Sequence, residues 1–154
     1  MSQDISIIRY TELPQKGAFR QQKVEFTLGK RSNKVTGILK LVQTVVKLLL
    51  TTPGTDHFAP DTGTIIPGLV RRGVAKSSVQ LVKMNITVSI QDLERQIQDL
   101  QASQILPDDE RLASIEIRRV EFLDVSTEWI IEISVLSEAG IGVAFDISPF
   151  LKGK

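Results

Sequence analysis

Pro107 divides this chain into two parts whose apolar residues repeat at different periods, and that division constrains the fold more than any other feature. Before it, Val35, Ile38, Leu39, Val42, Val45, Val46 and Leu49 fall three and four apart, which gathers them on one face of a helix. Lys40, Gln43 and Lys47 take the other side. After it, "SIEIRRVEFLDV", "TEWIIEISVL" and "IGVAFDIS" are rich in β-branched residues and are separated by the short gaps "DVST" and "SEAG". Such spacing predicts a C-terminal three-stranded antiparallel β-meander. Helices first and strands last make an α+β domain.

The remaining elements follow from local signals. Residues 1–22 read as an N-terminal arm, interrupted at Pro14 and Gly17, and residues 23–154 as a single α+β domain. "KVEFTLG" alternates as a strand, with "KRSNK" as a basic turn after it. The first helix should fail at Thr51–Thr52, because Pro53 disfavours helical geometry in the residue before it. A second, short helix is expected from Asp61 or Thr62, either of which can cap it, with Pro67 in its first turn and "RRG" as its end. In Ser77–Gln104 two periods compete. Val79, Ile86, Leu93 and Leu100 recur every seven residues with Val82, Ile90 and Ile97 beside them, while Val82, Met84, Ile86, Val88 and Ile90 also alternate. The run "SIQDLERQIQDLQ" decides for one helix. In the first strand after Pro107, Ile115, Ile117, Arg119, Glu121 and Leu123 share one parity, which predicts a bulge or a two-sided environment.

Composition narrows the chemistry. The 154 residues are 42% hydrophobic and 5% aromatic, so the core is aliphatic. Nineteen basic residues against eighteen acidic give a net charge of +1, which supplies no field for steering toward nucleic acid or an anionic membrane. The absence of cysteine removes thiolate nucleophiles and Cys-based metal sites. Val35–Leu50 is broken by Lys40 and Lys47 and is too polar to span a bilayer, and no secretory signal opens the sequence. "PDTGT" contains the Asp61-Thr62-Gly63 triplet of aspartic proteases, which need two carboxylates sharing a proton, but a helix cap explains it more simply. His57 is the sole histidine, and Asp56, His57 and Asp61 make a poor metal set beside the reading of a solvated loop. "PDDER" offers Asp108, Asp109 and Glu110 for glycosidase chemistry without a second acidic cluster or an aromatic sugar platform. No catalytic, metal or cofactor-binding residue is therefore expected.

The stretch "VTGILKLVQTVVKLLLTTPGTDHFAPDTGTIIPGLV" (Val35–Val70) resembles the baseplate wedge and sheath-initiator family of contractile tails. That family includes the gpW-like phage baseplate proteins and the TssE component of type VI secretion. The resemblance rests on a helix with Gln43 midway, then "LLLTTPG", then "PDTG" opening the next helix, followed by a long helix and a meander. The chain departs from the family's habit at Thr55 and Asp56, and Pro107 stands apart from Glu110–Arg111 where the family often has a contiguous Glu-Pro-Arg.

The resemblance implies a non-enzymatic structural subunit of a virion tail baseplate, made in the host cytoplasm and present in about six copies around the tail hub. Its implied partners are the tail sheath protein, baseplate wedge proteins, and tube or hub proteins through the N-terminal arm, with no cofactor, nucleic acid or membrane. It would initiate sheath assembly by β-augmentation, with the strands carrying Trp129, Ile131, Ile133, Val135, Ile141, Val143, Phe145 and Ile147 as the sheath-binding element. Glu110 and Arg111 take the wedge-docking role, while Pro53, Gly54, Pro60, Asp61 and Gly63 form a structural loop. The alternative is a hydrolase, either a peptidoglycan hydrolase or an aspartic protease acting through Asp61.

Overall fold

The computed structural model describes residues 4–5, 8–10, 21–22, 24–26, 34–57, 59–71, 78–123 and 128–147. The "RSN" of the basic turn, Gly73 of the "RRG" helix end, and the "DVST" turn lie outside them. The elements are β1 (Asp4–Ile5), β2 (Ile8–Tyr10), β3 (Gln21–Gln22), β4 (Val24–Phe26), β5 (Lys34–Val35), α1 (Ile38–Leu50), α2 (Ile66–Arg71), α3 (Val79–Ala102), β6 (Leu112–Leu123), β7 (Glu128–Ser137) and β8 (Gly142–Asp146). The expected α+β fold with a C-terminal antiparallel meander is present: β6, β7 and β8 pair in sequence order. The sheet has one strand more than expected. β3 adds to the far side of β8 in parallel, making the order β3-β8-β7-β6. The described strands of the arm are all paired, β1 with β5 and β2 with β4, both antiparallel.

α1 begins three residues later than its apolar period, at Ile38, because Gly37 turns the chain in with a φ of 64°. Its inward row, Ile38, Leu41, Val42, Val45, Val46 and Leu49, packs against the sheet and α3. The facing surface of the sheet supplies Trp129, Ile131, Ile133 and Val135 from β7 and Val143, Phe145 and Ile147 from the β8 segment. α3 closes the core with Val82, Ile86, Ile90, Leu93 and Ile97. The alternation in its first half is thereby explained: Val82, Ile86 and Ile90 face inward while Met84 and Val88 belong to an exposed side, together with Leu81. Leu100, the last of the sevenfold series, is also exposed.

The mixed parity of β6 resolves into a bulge. Ile115 pairs with Val135 and Ile117 with Ile133, the register then shifts, and Val120 pairs with Ile131 and Phe122 with Trp129. The extra residue lets the inward set change from odd to even numbers without leaving the core face. Phe122 and Trp129 meet as tilted rings with centroids 5.2 Å apart.

Candidate functional site

The loop between α1 and α2 is tied by backbone. Thr64 N–H donates to Thr51 O (2.8 Å), and Gly54 N–H donates to Pro60 O (2.7 Å). Gly63, buried at a φ of 112°, lies so close to the end of α1 that a Cβ there would sit 2.3 Å from Thr51 O. Its backbone is held from the other side by the Gln96 amide, which accepts from Gly63 N–H (3.0 Å) and donates to Gly63 O (3.2 Å). Pro53, Gly54, Pro60 and Asp61 form the exposed outer turn of this corner.

One expectation here is corrected. α2 starts at Ile66, and neither Asp61 nor Thr62 caps it. Thr62 Oγ donates to Ala59 O (2.8 Å), within the loop. The side chain that meets the helix start is that of Thr64, two residues before it, whose hydroxyl donates to Leu49 O (2.7 Å) and accepts from Ile66 N–H (3.3 Å). The reason is tertiary: the loop must first cross the end of α1, and the cap falls where that crossing ends. His57 is exposed. Among the described residues no three His, Cys, Asp or Glu side chains come together to hold a metal, and no helix is long and apolar enough to cross a membrane.

Glu110 and Arg111 are adjacent but point into different surroundings. Glu110 is 3% exposed. Its carboxylate accepts from Gly37 N–H (3.1 Å) at the start of α1 and pairs with Lys40 Nζ (2.8 Å). A carboxylate at a helix N-terminus meets both the unpaired N–H groups and the positive end of the dipole. Glu110 thus fastens the turn before β6 to α1, and a docking role for its carboxylate would require leaving that seat. Arg111 is half-buried, its Nε 3.6 Å from Glu138 Oε2, and lines a depression of about 380 Å³ with Gln98, Gln101, Leu112 and Glu138.

The strand side chains assigned to sheath binding are core. Trp129, Ile131, Ile133, Val135, Val143, Phe145 and Ile147 are buried and Ile141 half-buried. What the sheet offers to a partner is therefore its edges, and the hydrogen-bond parity says which groups those are. Ile147 N–H donates to Ile131 O and Ser137 N–H to Ile141 O, both 2.9 Å. Odd-numbered residues from Ile141 to Ile147 thus turn their backbone groups toward β7. Gly142, Ala144 and Asp146 turn theirs outward, toward β3.

The two edges are protected differently. On β6, three groups are met by side chains of α3: Ile115 N–H donates to Glu94 Oε2 (2.7 Å), Gln98 Nε2 donates to Ala113 O (3.2 Å), and Leu112 N–H donates to Gln101 Oε1 (2.8 Å). Gln101 Nε2 also donates to Glu110 O (3.0 Å). The rest of this edge carries exposed Arg118, Arg119 and Glu121, with Arg119 and Glu121 paired through Nε at 2.8 Å. On β8, among the described residues, protection comes from β3, with Gln21 opposite Ala144 and Gln22 opposite Phe145. Glu94, Gln98 and Gln101 recur four and three apart, so their shared row was visible in the sequence; the strand edge that they serve was not. Nothing in "FRQQK" marks Gln21–Gln22 as a strand.

A cross-strand row of charge runs over the outer face. Arg119 lies opposite Glu132, which lies opposite Asp146. The Arg119 guanidinium is held above its usual range by its hydrogen bond and charge contact with Glu121, and further by Glu132 and Asp146. Comparison with family models, with curated proteins and with solved structures finds no match to this chain.

Proposed function

We propose that this chain is a non-enzymatic structural subunit of a contractile-tail baseplate, which starts sheath assembly by accepting an extended strand from a sheath subunit. The observation that carries the reading is the contrast between the edges. β6 is guarded by α3 side chains and by charge, in the way that sheets prevent unwanted pairing. β8 is nearly uncharged, and among the described residues it is paired on its outer side at Gln21 and Gln22. Main-chain hydrogen bonds to Gly142, Ala144 and Asp146 would supply attachment, and outward side chains would set register. The likeness of Val35–Val70 to the sheath-initiator family and the order of long helix then meander support the same reading.

The test uses proline at an edge. Val143→Pro or Ile133→Pro would break the ladder inside the sheet and report only on folding, because Ile133 belongs to the central strand and the N–H of Val143 faces β7. Asp146→Pro removes an outward donor and spares the β7 ladder. Co-expressed with the sheath protein of the same tail, wild type and Asp146→Ala should co-purify with it, and Asp146→Pro should lose about tenfold or more in capture, the loss of roughly one ladder bond. A wild-type chain that captures no sheath subunit, or that cleaves peptide or peptidoglycan with activity lost on Asp61→Asn or Asp108→Asn, would overturn the reading.

A further inference from the structure

At one pole of the molecule the loop after α3 holds an isoleucine out into solvent. Ile105 is 103% exposed, where the other exposed large apolar side chains of the described residues lie between 43% and 56%. Backbone hydrogen bonds fix its position from both sides. Gln104 N–H donates to Gln101 O (3.0 Å) just before it, and Glu110 N–H donates to Pro107 O (2.9 Å) just after. Ala139 N–H, from the turn between β7 and β8, donates to Asp108 O (3.1 Å). A side chain on a loop already held in place costs little ordering when a partner covers it, so its burial goes into binding.

Beside this knob lies the depression to which Ala102, Leu112 and Ala113 give an apolar wall and Arg111 a guanidinium, with a volume of about 380 Å³. Ala102 is three residues from Ile105, a span of at most about 11 Å. Arg111 is short of acceptors: its Nε is buried with no hydrogen-bond partner, and Glu138 Oε2 at 3.6 Å is too far to be one. Asp108, three residues beyond Ile105, is exposed. The loop thus offers an apolar side chain and a carboxylate, and the depression an apolar wall and an under-used cation. Within one chain the knob does not enter the depression, since Ile105 is fully exposed. Across a two-fold axis each copy's knob meets the other's depression, and adjacent complementary patches close into a pair. We infer that this pole is a self-complementary surface joining two copies of the chain, with Ile105 of each seated in the depression of the other and Asp108 supplying the acceptor that Arg111 lacks. Two knobs and two ion pairs bury less than a tight dimer needs, so the dissociation constant is on the order of 100 µM. The inference goes beyond the strand-acceptor reading and is independent of it, since it uses neither β8 nor a sheath subunit.

Sedimentation equilibrium of the full chain, from about 10 µM to about 1 mM, tests it. Wild type should move from the monomer mass toward twice that mass over this range. Ile105→Asp, at a position fully exposed in the monomer, should keep the fold and weaken pairing about a hundredfold or more. Asp108→Asn should weaken pairing roughly threefold, and Glu138→Gln should strengthen it, because the neighbouring carboxylate no longer competes for Arg111. A mixing experiment identifies the surfaces that meet. The chain has no cysteine, so Ile105→Cys and a mass-tagged Ala102→Cys carry one thiol each. Oxidised together, they should form mixed disulfides well above the statistical share, because the knob of one chain lies against the depression of the other. Wild type that stays monomeric at about 1 mM overturns the inference and leaves Ile105 to a different protein. Pairing that survives Ile105→Asp, or mixed disulfides at or below the statistical share, overturns it by placing the contact elsewhere. Pairing indifferent to both carboxylate changes overturns the contact between Asp108 and Arg111.

Discussion

Glu110 and Gly63 each hold a junction where a loop meets the start or end of a helix, and each makes a prediction that depends on surroundings rather than on residue type. The Lys40–Glu110 pair is asymmetric: the carboxylate is 3% exposed and the lysine side chain 16%. Glu110→Gln keeps an acceptor for Gly37 N–H and lets Lys40 reach water, so its cost should be about 1–2 kcal/mol. Lys40→Met leaves a buried carboxylate without its cation and should cost about 3–5 kcal/mol. Urea unfolding of the two variants checks the order, and equal costs would mean that Lys40 contributes little to holding the carboxylate. Gly63→Ala should cost about 3 kcal/mol, because the new methyl meets the Thr51 carbonyl and the backbone is left-handed. Gly68→Ala, inside α2 with open space around it, should instead stabilise by about 0.5–1 kcal/mol. Thermal unfolding of both gives shifts of opposite sign if the corner is built as described.

At the scale of elements, β6 is the informative strand. Its bulge predicts that residues can be deleted from it with very different results. Arg118 is the extra residue between Ile117 and Arg119, so its removal regularises the pairing and keeps Ile117 and Val120 on the core face. Deleting Glu116 makes Ile115 and Ile117 neighbours in sequence, and one of them must then face outward. We expect the Arg118 deletion to stay within about 1 kcal/mol of wild type and the Glu116 deletion to cost about 2–5 kcal/mol. Unfolding midpoints would decide it, and a severe Arg118 deletion would show that the bulge itself is required. The bulge was legible as a conflict: Ile115 and Ile117 shared parity with Arg119 and Glu121, and no single face accommodates all four. Which residue was extra depended on β7.

Across the whole molecule, the meander, α1 and α3 form one core, so strand removal is a poor probe of partner binding. Ending the chain at Leu136 would delete Val143, Phe145 and Ile147, each at most 1% exposed, and any lost binding would follow from lost folding. Probes at Asp146 or at β3 leave that core in place. The corner that contains Asp61-Thr62-Gly63 belongs to the same structure: its glycine is wedged between the end of α1 and Gln96, and its aspartate is exposed. Packing accounts for the glycine of the triplet.

The sequence by itself determined where helices and strands lie and which of their faces are apolar. Periods of 3.6 and 2 are properties of a local backbone, and they survive any arrangement of neighbours. Hence α1, α3 and the three long strands were readable, as was the conflict within β6. Tertiary structure alone decided the rest. The cap at Thr64 depends on where the loop crosses α1, the burial of Glu110 on the approach of Gly37 and Lys40, and the guard on β6 on α3 lying beside it. β3 is the clearest case. Two glutamines have no pattern of their own, and they become a strand because a distant edge supplies the hydrogen bonds that their backbone requires.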